Sequence, residues 1–279
     1  MTATIHWAVE LSALSSIVHA GETRGTDTLL RRELVATSTS ELVLVPLVSG
    51  NAFRGRLRRV GEELFRDALE LEGLLSLPAA YALRNGGSLY KSGRDPLTGR
   101  RRAALRELIP PVGVFGCAAG AALIDGCLEV GKVVPQAAET ALMTGVASQQ
   151  SVFDLVQMEE YSHTDDLASH HTGGHDREGE DAGGSNQMRF AVESFPAGTR
   201  FSSYLRLTRA SDIQISFFTD VLAAFARFGQ LGGRLAAGHG RVVVDAVDEL
   251  VAGTYTPTDW RSQLLGDRAA VLDALEQLG

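Results

Sequence analysis

Residues 49–59 read SGNAFRGRLRR, and the fold class turns on this stretch because the period of the chain changes inside it. Upstream, residues 4–12 alternate. Ile5, Trp7, Val9 and Leu11 fall on one face and His6, Ala8, Glu10 and Ser12 on the other, the two-residue period of a half-buried strand. From Asn51 onward, Phe53, Leu57, Val60 and Leu64 share a face while Arg54, Arg58, Glu62 and Arg66 line another at successive spacings of four, which predicts the first major helix. Ser49, Gly50 and Asn51 stand where its N-cap belongs.

Working outward, a second extended stretch covers residues 29–48, reached through the turn residues HAGETRGTD at 19–27. Residues 71–83 read as an apolar helix, 85–99 are rich in glycine and turn formers, and Pro110 and Pro111 close the arginine-rich stretch that follows. A strand is expected at 127–134 and another within 146–161, whereas 163–187 is polar, glycine-rich and without period, the reading of a loop or hairpin tip. Strand character resumes at 188–193 and 200–208 across the turn 196–198. Ser211 with Gln214 three residues on forms a capping box, and Ile215, Phe218, Leu222 and Phe225 make the core stripe of a second major helix. A glycine-rich loop then runs into a strand at 229–244, and a helix at 267–278 ends the chain. The order strand, helix, strand, strand, helix, strand with a long middle insertion predicts an α+β fold with a ferredoxin-like, split βαβ core in a single domain over 1–279.

The 279 residues are 44% apolar and 22% charged, enough for a sizeable core. Only Cys117 and Cys127 are available for a disulfide, the N-terminus lacks a basic region followed by an apolar run, and no apolar stretch reaches membrane-spanning length. A reduced, cytoplasmic protein is expected. The net charge of −8 argues against indiscriminate polyanion binding, but its distribution matters more. Lysine occurs only at Lys91 and Lys132, arginine is concentrated at 54–59 and 94–106, and acid gathers at 165–181. Guanidinium groups suit phosphate and base stacking together.

The glycine-rich loop invites a dinucleotide reading, which fails on order: that site needs strand, glycine turn and then helix, whereas here a helix precedes the loop and a strand follows it. No P-loop spacing is present. Five glycines permit close approach to another backbone, with Arg234 and Arg241 supplying charge; a tight connection and helix C-cap is the plainer alternative. Arg54 and Arg58, four apart, match adjacent phosphates, or belong to a surface ladder with Glu62 and Arg66. His163, His170, His171 and His175 lie among Asp165, Asp166, Asp176 and Asp181, but the surrounding glycines give no rigid frame, so no metal or other cofactor is expected. No nucleophile elbow occurs, and His19 alone stands as a candidate general acid or base.

Three segments taken together, SGNAFRGRLRR after the early strands, VFGCAAG at 114–120 and LGGRLAAGHGRVVV at 231–244, resemble the RAMP superfamily of CRISPR-associated proteins. With ALRNGGSLYKSG at 82–93, the set resembles the backbone subunit of type IV effector complexes more narrowly, with the type III backbone subunit as nearest relative. The resemblance implies an RRM-like core with a helical insertion at about 70–125, and a thumb at about 146–189 that carries the apolar candidates Phe153 and Met158. It implies copies stacked in a filament along one CRISPR RNA, other effector subunits as partners, target nucleic acid paired through the guide, and no membrane. The RNA-binding residues carried over are Ser49, Asn51, Arg54 and Arg58 of the helix motif, Arg24 after the first strand, and Gly232, Gly233, Arg234, Gly238, His239, Gly240 and Arg241 of the loop. Type III relatives cleave target RNA with an aspartate in the loop after the first strand. The counterparts here are Glu22 and Thr23, with Asp27 further on, so no cleavage is expected and the chain is not expected to be an enzyme. The competing reading is a RAMP endoribonuclease that processes precursor CRISPR RNA through His19.

Overall fold

A computed structural model describes residues 1–89, 98–119, 122–163 and 188–278. The fold is α+β, as expected. Its first sheet is built on β1 (Thr2–Ala13), whose inward side chains Ile5, Trp7, Val9 and Leu11 are all buried. Two antiparallel β-hairpins follow, β2 (Ala20–Arg24) with β3 (Asp27–Leu30) and β4 (Arg32–Ala36) with β5 (Leu42–Pro46). The helix α1 (Gly50–Ala68) begins where the period changes.

Next come α2 (Leu77–Asn85), α3 (Gly99–Leu108), α4 (Pro110–Phe115) and the short pair β6 (Cys117–Ala119) and β7 (Ala122–Ile124). The strand expected at 127–134 is instead two short strands, β8 (Leu128–Val130) and β9 (Val134–Pro135). They part at Gly131, where the chain passes against Tyr204 so closely that a Cβ would lie 2.5 Å from its ring. After α5 (Ala141–Thr144), a 3-10 turn at Val152–Leu155 replaces the first half of the strand expected over 146–161, because Val152 and Leu155 turn into the core together. The strand proper is β10 (Gln157–His163), which pairs antiparallel with β11 (Met188–Ser194). The chain closes with β12 (Arg200–Ser211), α6 (Asp212–Phe228), β13 (Val242–Gly253), α7 (Trp260–Gly266) and α8 (Arg268–Glu276).

The principal sheet has the order β13-β1-β12-β8, with every pairing antiparallel and β9 joining β12 beyond β8. α1 and α6 cover one face: Phe53, Leu57 and Phe65 of α1 and Phe217, Phe218, Val221 and Phe225 of α6 are buried there. Rings meet edge to face at Trp7–Phe218, 5.3 Å, the geometry in which one ring's positive edge meets the other's negative face. Gly61 allows the two helices to close, since a Cβ there would lie 3.0 Å from Phe115 and 3.2 Å from Phe217. The opposite face of this sheet is open and mixed, with Glu10, Glu129, Asp245 and Glu249 beside Arg200, Arg206, Tyr204 and Val247.

A second sheet, β10-β11-β3-β2, leans on the first through Ile17, which exchanges two 2.9 Å backbone hydrogen bonds with Phe195. Glu193 ties its strands: one carboxylate oxygen accepts from the Leu30 amide at 2.7 Å and the other from Arg32 at 2.5 Å. Among the described residues no helix is long and apolar enough to cross a membrane.

Candidate nucleic-acid interface

α1 starts at an N-cap, Ser49, whose hydroxyl accepts from the Ala52 amide at 3.3 Å, and no acidic residue occupies its first turn. Its N-terminal end is therefore a positive pole with no negative charge from its own first turn. Two flanks of arginines extend from it. On one, Arg54 donates to the Phe115 carbonyl at 2.9 Å, and Arg58 donates to the Gly116 carbonyl at 2.8 Å and to that of Phe115 at 2.5 Å. Arg58 also lies over the Phe115 ring, 5.5 Å from its centroid. Both guanidiniums are half-buried among carbonyls and, among the described residues, neither meets a carboxylate; burial, then the neighbouring Arg54 charge, lowers the Arg58 pKa to about 10. Arg54 Nε is buried without a hydrogen-bond partner among the described residues.

The two arginines stand at the floor of an open cleft of about 290 Å³, lined also by Asn51, Gly55, Arg59, Arg84 and Asn85. Arg84 is balanced by Glu62 at 2.7 Å and Glu63 at 3.4 Å, while Arg59 is exposed. The ladder reading of the helix face is thus half realised: Glu62 pairs with Arg66 at 3.4 Å, but Arg58 turns away to the carbonyls. On the other flank Arg56 donates to the backbone carbonyl of Gln230 at 3.3 Å and to its side chain, joining α1 to the start of the glycine-rich loop.

That loop begins at Gly229, the C-cap of α6. Gly232 and Gly240 adopt φ of +80° and +84° with their α-carbons packed on the carbonyls of Val18 and Leu231, positions closed to any side chain on both counts. The loop is stitched to the segment after β1 by Gly233 N–H to Val18 O and Gly240 N–H to Ser16 O, both 2.8 Å, and by Arg241 N–H to the Ser15 hydroxyl at 3.0 Å. Gly233, Gly238, Arg234 and Arg241 are exposed, but His239 is only 4% exposed. Its Nδ1 meets the Ser16 hydroxyl at 2.8 Å and its Nε2 meets the Tyr161 hydroxyl at 2.5 Å.

Arg24 sits in the β2–β3 hairpin, paired with Glu22 at 3.0 Å, which raises the guanidinium pKa through that hydrogen bond. His19, by contrast, is half-buried: its Nε2 is enclosed without a hydrogen-bond partner among the described residues, and burial, then the charge of Arg31, lowers its pKa. Phe153, 58% exposed, lies in the 3-10 turn before β10, and Met158, 48% exposed, lies on β10 itself. The histidine and aspartate run at 165–181 lies outside the described residues; within them no group of three or more His, Cys, Asp or Glu is placed to hold a metal.

The structure thus gathers Asn51, Arg54 and Arg58 in one cleft and the loop residues in another region, with Arg56 between them. Reading by sequence passed over Arg56, Arg59, Arg84 and Asn85. Their signal was the density of arginine in 54–59 and the ALRN of 82–85, and only the packing of α2 on α1 brings the two together.

No protein-family model matches the chain, and no curated protein does. Among solved structures it is similar to a chain of a "Type IV-B CRISPR Complex", with 32% identity and a TM-score of 0.63, the match covering 93% of this chain and 98% of that chain.

Proposed function

The chain belongs to the type IV CRISPR-associated proteins, and from that premise we propose that it is the guide-RNA-binding backbone subunit of its effector complex, polymerising along the RNA and presenting the bases for target pairing without cleaving. The observation that carries the reading is the arginine cleft at the head of α1. Among the described residues Arg54 and Arg58 have only carbonyl hydrogen-bond partners, Arg59 is exposed, and the helix pole adds to them. A desolvated guanidinium gains most from a phosphate, whose negative charge offsets the desolvation that lowers the Arg58 pKa. The open sheet face, with four carboxylates against two arginines, favours the α1 side for a polyanion. A net charge of −8 is compatible with this, since counterion release at one basic stripe supplies the affinity.

The β-α-β-β-α-β succession of β1, α1, β8, β12, α6 and β13 supports an RRM-like core for this role. Binding by backbone contacts leaves sequence to be read by the guide. Against a processing endoribonuclease stands His19, whose free nitrogen is buried rather than presented to a ribose hydroxyl.

The test is purification from cells without nuclease treatment, followed by RNA analysis, sizing and imaging of the large fraction. Guide RNA within regular filaments is the expected result. Arg54→Ala with Arg58→Ala weakens it but also strips the bonds to residues 115 and 116, so Arg59→Glu is the cleaner variant, expected to lower RNA affinity about tenfold at physiological salt. A monomer free of RNA that cuts a repeat hairpin overturns the proposal in favour of processing through His19.

A further inference from the structure

The root of the β10–β11 hairpin and the glycine-rich loop share one cluster of side chains. Tyr161 and Phe190 are directly opposed across the two strands, their rings stacked at 5.3 Å with 13° between planes. Arg234 of the loop lies over both, 5.8 Å from the first centroid and 5.4 Å from the second. The Tyr161 hydroxyl meets His239 Nε2 at 2.5 Å and lies 3.3 Å from Glu159 Oε2, and Glu159 Oε1 accepts from the Ser194 hydroxyl at 2.5 Å. The other nitrogen of His239 meets Ser16 at 2.8 Å. Both ring nitrogens are thus occupied within the protein, and the ring is buried. Arg234, the N-cap of the 3-10 turn Leu235–Ala237, holds a left-handed backbone at φ +54°, an uncommon conformation for a residue with a side chain, while its guanidinium covers the aromatic pair.

We infer that His239 and Arg234 are positioning residues: the glycine-rich loop is a latch that fixes the direction in which the β10–β11 hairpin leaves the body of the protein. His239 acts by holding Tyr161 against Ser16, and Arg234 by clamping the Tyr161–Phe190 stack. Neither role needs RNA in contact with His239. The loop is in turn bound to α1 by Arg56, so the arginine cleft and the hairpin keep a constant relation. The latch rests on the proposed function only for its consequence, that the hairpin meets the RNA path of a bound guide at one angle.

The test has two arms. On the free protein, hydrogen exchange is followed in Tyr161→Phe, which deletes one hydroxyl, His239→Gln, and Arg234→Gly, whose backbone suits φ +54° so that only the guanidinium is lost. Exchange of the β10 and β11 amides is expected to rise about tenfold while that of β1 and α6 stays as in the parent. On the RNA-bound assembly of Tyr161→Phe, a residue outside the RNA-binding set, nuclease digestion is expected to change from evenly spaced protected fragments to a smear of sizes at unchanged RNA content. Unaltered hairpin exchange in all three variants overturns the latch, and altered exchange with an unchanged digestion pattern overturns its role toward RNA. A parent protein that binds no RNA would refute the proposed function and leave the latch judged by exchange alone. If His239→Gln loosens the whole molecule, Tyr161→Phe and Arg234→Gly still decide.

Discussion

His19 shows how far a single side chain can depart from its reading in sequence. The candidate acid or base of the competing reading, it is half-buried with its Nε2 enclosed and its pKa depressed, so the unfolded chain binds its proton more readily than the folded one. The stability it permits is present above the unfolded pKa near 6.5 and is lost as pH falls through the lower folded value. His19→Gln is therefore expected to flatten the decline in Tm between pH 7 and pH 5 relative to the parent, measured by thermal denaturation in matched buffers. A steeper decline would contradict the burial argument. Cys117 and Cys127 are likewise set by burial, which pushes both thiols up to about 11. At pH 8 neither is expected to react with iodoacetamide in the folded protein, and both should react after denaturation, as intact-mass measurement will tell.

Among the elements, the long periodic ones were legible and the short ones were not. β1 and the capping box and stripe of α6 could be read because each buries one continuous face, and a repeated period reports a face directly. β8, β9 and the 3-10 turn at Val152–Leu155 could not, since three or four residues carry no period and their conformation is set by distant partners such as Tyr204. The helix wheel of α1 gave the azimuth of Arg54 and Arg58 correctly, yet it had no means of showing the carbonyls of Phe115 and Gly116 waiting beside them. The cluster under the hairpin was legible least of all, because Ser16, Tyr161, Phe190 and His239 come from four separate stretches. Element packing also makes firm predictions. Gly61→Leu should overpack the α1–α6 contact and cost roughly 1–3 kcal/mol by urea denaturation. Trp260 seats α7 on α6, edge to face with Phe217 at 5.1 Å and donating from Nε1 to Asp220 at 2.8 Å. Trp260→Ala should cost about 3–5 kcal/mol in the same assay, with a smaller loss for Trp260→Phe.

Taken whole, the molecule separates its charge by face: arginines in the first half of α1, carboxylates across the open sheet, and a hairpin rooted on the glycine-rich loop. If the basic stripe carries the binding, affinity for RNA should fall steeply with added salt, and Arg59→Glu should lessen the slope of log affinity against log salt by about one or two, as titrations at several ionic strengths will show. An unchanged slope would move the RNA to another face. The central place of β1 has a further consequence, for the making of the protein. Its two neighbours, β12 and β13, are encoded about 200 residues or more after it, so at translation rates of about 5–20 residues per second Ile5, Trp7, Val9 and Leu11 wait roughly 10–40 s for a partner strand. The apolar strand therefore emerges from the ribosome unpaired, and its burial waits for the last third of synthesis.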